Sequence, residues 1–369
     1  MNKKPVVIYG ASGYTGRLVA EYLREYDIPF VAAGRDRARV EAAMRAVPGI
    51  GTADYEVVEA PTSVDGLTEL FRGAKVVCNV VGPFIMHGPT VVEAALKAGV
   101  HYLDTSGEQA SILRVAREWG ERFADRHLVA VPSTAYMYAP GEIAARLVLE
   151  TPGIDSLDGL TMFRGIPTYT STQSIFAQLR EQAYYLEGKE LRPYPKGEGY
   201  DVVIPGFHGL QLALPWGGTG CPVWFKNHPR VRNARVLAGA LDRTLMKSVL
   251  AMEQDFESNI RSLPLNEQEA ALAARAGSIQ NTMPPRERPL EHRTVDSMMG
   301  RGLSAVAHVV LFGNCAYKQT GLLQAVAARH LLDAKPLSDG FASPCEAFGY
   351  QELLGALVSH GLTFVRRLM

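Results

Sequence analysis

One stretch near the amino terminus, Val6-Val7-Ile8-Tyr9-Gly10-Ala11-Ser12-Gly13-Tyr14-Thr15-Gly16, constrains the fold more than any other. Four apolar, mostly β-branched residues run into a glycine, and two more glycines follow at three-residue steps. Leu18, Val19, Tyr22 and Leu23 then repeat with helical period. The pattern reads strand, tight turn, helix. The first glycine lets the strand turn, the second admits a ligand close to the backbone, and the third lets the helix pack on the strand. The N–H groups that open such a helix lack intrahelical acceptors, and the helix dipole favours an anion there. A dinucleotide pyrophosphate meets that demand. A glycine-rich turn with no ligand is the plainer alternative, and the βαβ pattern around the triplet argues against it.

The second strand, Phe30-Val31-Ala32-Ala33, ends at Gly34-Arg35-Asp36-Arg37. An acid at this point hydrogen-bonds the ribose of NAD, whereas an arginine grips the 2′-phosphate of NADP. Arg35, with a hydroxyl from Ser12 in the first turn, favours NADP over NAD. Asp36 is the counter-argument, and Arg37 and Arg39 read as solvated helix residues. A fourth strand, Val76-Val77-Cys78-Asn79-Val80-Val81, is apolar nearly throughout, as a strand buried on both faces should be. Ligands lie over the carboxyl ends of such strands, so Val81, Gly82 and Pro83 are expected beside the nicotinamide. His87, read as lying in the loop before a helix over 89–98, is a proton donor or a surface histidine. Asp104 and Glu108 follow a fifth strand and are either acid/base groups or helix caps.

Bulk properties narrow the function classes. Lys plus Arg equals Asp plus Glu at 38 each, which leaves no electrostatic case for nucleic acid or an anionic membrane. The expectation is that no leader precedes the first strand, and no apolar run approaches a transmembrane span. Cys78, Cys221, Cys315 and Cys345 show neither metal nor disulfide spacing. A cytoplasmic protein without a metal centre is the expectation.

Four motifs in order carry a resemblance: Gly10 to Gly16, Ala33-Gly34-Arg35-Asp36-Arg37, Val80-Val81-Gly82-Pro83-Phe84, and Gly99 to Glu108. Together they resemble the N-terminal domain of the saccharopine dehydrogenase-like oxidoreductases, the trans-acting enoyl reductase branch most closely. The resemblance implies that Gly10, Ser12, Gly13, Tyr14, Thr15, Gly16, Arg35, Val81, Gly82 and Pro83 are cofactor-site positions. It also implies a helix start facing the nicotinamide, which falls at Thr170, Ser171 and Thr172, and a tail that packs back on the dinucleotide domain. Ser171 or Thr170 is equally a helix cap.

The second half is less regular. Tyr136 and Tyr138 follow the sixth strand and are the nearest phenols to the expected cleft; either can protonate an enolate or alkoxide, or simply pack. Tyr185 and Lys189 have the spacing of a short-chain dehydrogenase pair, but Gly188 breaks the helix that pairing needs. Between 192 and 229 the chain is rich in Pro, Gly and aromatic residues, material for an apolar pocket or a subdomain core. Residues 234–263 show helical period, as do 351–367.

The resulting expectation is an α/β protein. It has a Rossmann domain over 1–150, an α+β substrate domain over 151–349, and a final helix within 350–369 that returns to the first domain. Its function would be NADP-dependent reduction of a C=C or C=O bond in a small or acyl-type substrate, with Tyr136, Tyr138 or Ser171 as the acid and a homodimer as an open option. Two alternatives stand beside it: an NADP-binding sensor or scaffold, and an amino-acid dehydrogenase using Arg164 or Arg180 to pair a substrate carboxylate.

Overall fold

The apolar tetrads become the middle of a parallel sheet. In the computed structural model, which describes residues 4–216, 218–279 and 282–368, β1 (Val6–Tyr9) is buried at every position. It leads through α1 (Tyr14–Glu25) to β2 (Phe30–Gly34), also wholly buried. Then come α2 (Arg37–Arg45), β3 (Tyr55–Glu59), α3 (Val64–Phe71), β4 (Val76–Asn79), α4 (Phe84–Ala98), β5 (His101–Asp104), α5 (Gln109–Ala124) and β6 (Val129–Val131). The strands lie in the order β3-β2-β1-β4-β5-β6, every neighbouring pair parallel. The chain therefore grows outward from β1, returns, and grows the other way from β4. The switch point falls where Tyr9 stands between Ala33 and Asn79. Helix α4 opens at Phe84 behind Pro83 and runs through Pro89, so His87 lies on a helix and not in the loop expected for it.

The second unit is built on a mixed sheet. Its elements are α6 (Tyr138–Val148), β7 (Ser156–Arg164), α7 (Tyr169–Ala177), β8 (Tyr184–Glu187), β9 (Glu190–Pro193), β10 (Tyr200–Val202), β11 (Gln211–Ala213), α8 (Cys221–Trp224), β12 (Asn233–Ala240), α9 (Arg243–Asp255), α10 (Leu265–Ile279), β13 (Arg293–Arg301) and β14 (Val306–Asn314). After these come α11 (Ala316–Asp333), β15 (Gly340–Phe341), α12 (Pro344–Phe348), α13 (Tyr350–Ser359) and β16 (Thr363–Arg367). The second sheet runs β16-β14-β13-β7-β12-β8-β9, with β7 and β12 its parallel pair. β15 joins the first sheet beside β6.

By packing, the first unit comprises 1–106, 111–139 and 317–360, and the second 107–110, 140–316 and 361–369. Apart from the short excursion at 107–110, the chain passes from the first unit to the second after Ala139, where the expectation put the boundary at 150, and rejoins the first at Tyr317, where it put the return at 350. The return is tight: a Cβ on Gly321 of α11 would stand 2.8 Å from Leu18 Cβ of α1.

Two expected helices need correction. Residues 234–263 are not one helix. Ala234, Val236 and Ala238 alternate inward along β12, and Asp242 then caps α9 by accepting from the Thr244 and Leu245 N–H groups at 3.0 Å. In an alanine-rich run the two periods look alike, and the cap decides. The last helix stops at Ser359; Gly361 takes φ +66°, and 363–367 pair antiparallel with β14. Among the described residues no helix is long and apolar enough to cross a membrane. Met1 to Lys3, where the leader reading began, lie outside them.

Candidate functional site

The glycine turn is held by its own backbone. Gly10, at φ +100°, and Ala11 both donate their N–H groups to the Ala33 carbonyl, at 2.9 and 3.0 Å. A Cβ on Gly10 would lie 2.8 Å from Val81 Cγ2, so the turn touches the loop after β4 across seventy residues of sequence. A Cβ on Gly16 would meet the Gly10 carbonyl oxygen at 2.5 Å and Ala11 Cα at 2.7 Å, so α1 sits directly on the turn. Gly13 differs: its Cβ would meet only the Gly10 oxygen, at 3.3 Å. Gly13 is also the N-cap of α1, and no side chain caps that helix. An open backbone at an uncapped helix start is a cradle for a pyrophosphate. Ser12 and Thr15 are half-buried at its edge, whereas the Tyr14 ring is buried edge-on against Tyr317 at 5.2 Å between centroids. Tyr14 thus reaches the cradle with its backbone.

The end of β2 fits the phosphorylated nucleotide. Arg35 is exposed and has no carboxylate partner among the described residues. The Ser12 hydroxyl lies 3.8 Å from the position of a Cβ on Gly34, beside it. Asp36 is engaged elsewhere: its carboxylate accepts from the Arg39 N–H at 3.0 Å and caps α2. Arg37 pairs with Glu41 at 2.9 Å on the solvated face of the same helix. A free guanidinium with an occupied neighbouring acid suits a 2′-phosphate better than a 2′-hydroxyl. His87 lies within the field of Arg35; partial burial, then that cation, lower its pKa.

Beneath the strand ends runs a buried polar network. The Val81 N–H donates to Asn79 Oδ1 at 3.1 Å, fixing the start of the Val81-Gly82-Pro83 loop. Asn79 Nδ2 donates to the Tyr102 hydroxyl at 3.0 Å, and that hydroxyl donates to Asp104 Oδ2 at 2.8 Å. Asp104 Oδ1 accepts from the Ser106 and Ser133 N–H groups at 2.8 and 2.7 Å. Gln324 Nε2 donates to the Asp104 and Thr134 carbonyls at 2.8 and 2.9 Å. Asp104 is completely buried; burial raises its pKa against the pull of these bonds. It ties the ends of β5 and β6 together. Asn79 was visible as the one polar residue in an apolar strand; Gln324 carried no local signal.

The acid candidates lie as follows. Tyr136 is half-buried, and its backbone N–H donates to Thr320 Oγ1 at 3.1 Å. Tyr138 is buried. Ser171 belongs to the second unit, in the first turn of α7. The cap there is Thr168, whose Oγ1 accepts from the Ser171 N–H at 3.1 Å and lies 3.0 Å from Ser171 Oγ. The caps expected at Ser171 or Thr170 therefore fall at Thr168. Glu108 is fully buried in the second unit. Tyr185 lies in strand β8 and Lys189 in the turn after it at φ +71°, so they share no helix.

Comparison with known proteins bears on the cofactor domain and on the fold. Residues 6–132 match the saccharopine dehydrogenase NADP binding domain. A lipid droplet localized protein of Caenorhabditis elegans is 30% identical over 156 residues, covering 40% of this chain and 37% of that protein. A trans-acting enoyl reductase of Mycobacterium leprae is 35% identical over 106 residues, covering 28% of this chain and 25% of that protein. In both, the match spans well under half of the relative's own length. The solved saccharopine dehydrogenase (L-Glu forming) of Saccharomyces cerevisiae superposes with a TM-score of 0.62 at 12% identity, covering 99% of this chain and all of that one, which shows a shared fold. Residues 139–366, more than half of the chain, match a family of unknown function, DUF5938. The chain belongs to that family, its unit of unassigned role carried behind an NADP-binding domain of the saccharopine dehydrogenase type.

Proposed function

We propose that this protein is an NADP-dependent oxidoreductase that reduces an activated C=C bond, or a C=O bond, of a small or acyl-type substrate. The observation that carries the reading is the pairing of an uncapped α1 N-terminus at Gly13 with an Arg35 that has no carboxylate partner. The M. leprae relative, named an enoyl reductase, favours the alkene. When bound, the nicotinamide supplies hydride chemistry. The chain's own part is to seat the pyrophosphate on backbone N–H groups, hold the 2′-phosphate with Arg35 and deliver a proton. We assign that proton to Tyr136, with Tyr138 and Ser171 as the other candidates. The amino-acid dehydrogenase alternative is left to Arg164, which is exposed, because Arg180 is already paired with Glu269 at 2.6 Å. Four buried free cysteines support a reducing, cytoplasmic setting for this reaction.

The test is NADPH consumption by the purified protein on a panel of enones, imines and aldehydes, with 2-amino acids and NADP in the reverse direction. Turnover of an enone or aldehyde is the expected result. Tight NADPH binding with no turnover on the panel would favour a sensor or scaffold, and oxidation of an amino acid would reinstate the dehydrogenase.

A further inference from the structure

The Val80 N–H donates to the Tyr9 carbonyl at 2.9 Å and continues the pairing of β4 with β1. At Val81 the chain leaves the sheet, and its N–H turns to a side chain, Asn79 Oδ1, two residues back at 3.1 Å. Asparagine closes many loops in this way, with the far end of its amide in water. Here the far end is buried. Asn79 is 0% exposed, and its Nδ2 donates to the Tyr102 hydroxyl at 3.0 Å. A phenol has one proton, and that of Tyr102 goes to Asp104 Oδ2 at 2.8 Å, so Asn79 meets a lone pair. The other Asp104 oxygen is filled by the Ser106 and Ser133 N–H groups.

This chain of bonds fixes which way the amide faces. Reversed, it would set Nδ2 against the Val81 N–H and Oδ1 against a hydroxyl whose proton is already engaged. Contacts from β4, β5 and the end of β6 thus orient one acceptor, and that acceptor holds the Val81 peptide. The loop it holds is accessible: Val81, Gly82 and Pro83 are half-buried where Asn79 is not exposed at all. The loop is also short, since α4 opens at Phe84 with Pro83 as its N-cap. Its other brace is the Gly10 turn against the Val81 side chain.

We propose that Asn79 is a positioning residue for the nicotinamide half of the cofactor. It acts through the Val81 backbone, without touching the ligand, by holding the loop over 81–83 where it lines the ring. The proposal rests on the cofactor reading, which sets that loop beside the nicotinamide. Asn79, Tyr102, Asp104 and the loop all belong to the first unit.

The test compares NADPH with adenosine 2′,5′-bisphosphate, which carries the 2′-phosphate and lacks the nicotinamide. Titration calorimetry on the full chain gives both affinities, and the emission of the reduced nicotinamide at saturation gives the ring's surroundings. Asn79→Ala should weaken NADPH about tenfold, the effect of one buried hydrogen bond, and leave the bisphosphate within about twofold. Its saturated emission should differ from the parent's. Tyr102→Phe keeps the acceptor and frees the far end of the amide, so it should show the same split at a smaller size; it also stands in if Asn79→Ala does not fold. Equal weakening of the two ligands would mean that Asn79 only supports the sheet, and the proposal would fall. Parental NADPH affinity in the variants, or an unchanged emission, would overturn it as well. A parent protein that bound neither ligand would instead refute the cofactor reading on which the proposal rests.

Discussion

Arg35→Ala should separate cofactor choice from folding. Arg35 is exposed and has no carboxylate partner among the described residues, so its loss breaks no ion pair of the folded chain. Surface changes of that kind usually stay within about 0.5 kcal/mol. Towards NADPH the loss is larger. Charge-assisted hydrogen bonds to a phosphate are worth about 1.5–3 kcal/mol, or roughly 10- to 150-fold in Kd. NADH has no 2′-phosphate, so its Kd should hardly move. Titration calorimetry with both nucleotides, at low and at about 0.15 M ionic strength, measures this; the NADPH advantage should shrink with salt. A second signature is independent of binding. Arg35 helps to lower the His87 pKa, so the variant should titrate His87 at higher pH by NMR. Equal weakening of NADPH and NADH, or an unchanged NADPH affinity, would refute the reasoning.

The turn glycines should respond oppositely. Gly16→Ala drives a Cβ against backbone at 2.5 and 2.7 Å and should cost about 1–3 kcal/mol in urea unfolding, whereas Gly13→Ala meets one atom at 3.3 Å and should unfold near the parent yet bind NADPH more than tenfold more weakly. A Gly13→Ala protein with parental NADPH affinity would refute the cradle. Asp104→Ala strands the Tyr102 hydroxyl and the Ser106 and Ser133 N–H groups in the interior, and should cost about 3–5 kcal/mol; a loss under about 1 kcal/mol would contradict the network. Asp296 is buried, its pKa driven well up by desolvation against one hydrogen bond from Thr161. With the folded pKa above the unfolded one, the carboxyl's contribution is complete below about pH 4 and declines as pH rises, by about 1.4 kcal/mol per unit, until the folded pKa is reached. Asp296→Asn lacks this slope, so denaturation at pH 5 and pH 8 should show the variant gaining on the parent; a pH-independent difference would mean that Asp296 is ionised when folded.

What the sequence made legible was local. The glycine triplet, the apolar strand β1 and the strand β4, apolar but for Asn79, announce themselves over a dozen residues, and the parallel order of the first sheet follows from them. The contact of Gly10 with Val81 follows in turn, because the switch point brings those strand ends together. Where the outcome rested on a partner far along the chain, the pattern was mute. Asp104 looks like a general acid until Tyr102, Ser106 and Ser133 are seen to fill its oxygens. Gln324 reads as one more residue of an apolar helix, although it bonds carbonyls 190 and 220 positions away. β12 hides inside a helical period because alanine fits both.

The same long-range holding bears on the proposed proton donor. Tyr136 is anchored through its backbone N–H to Thr320 Oγ1, 184 positions away, and that bond does not involve the ring oxygen. Tyr136→Phe removes the phenol and keeps that anchor, and an unchanged melting temperature and NADPH affinity in the variant are the checks that a fall in turnover reports chemistry and not a loosened loop. If Tyr136 supplies the proton, kcat should drop about 10²- to 10⁴-fold while the Kd for NADPH stays within about twofold. Thr320→Val is the complementary variant: it keeps the phenol and releases the loop, so KM should rise along with a smaller loss in kcat. Parental turnover in Tyr136→Phe would exclude that hydroxyl as the donor and move the assignment to Tyr138 or Ser171.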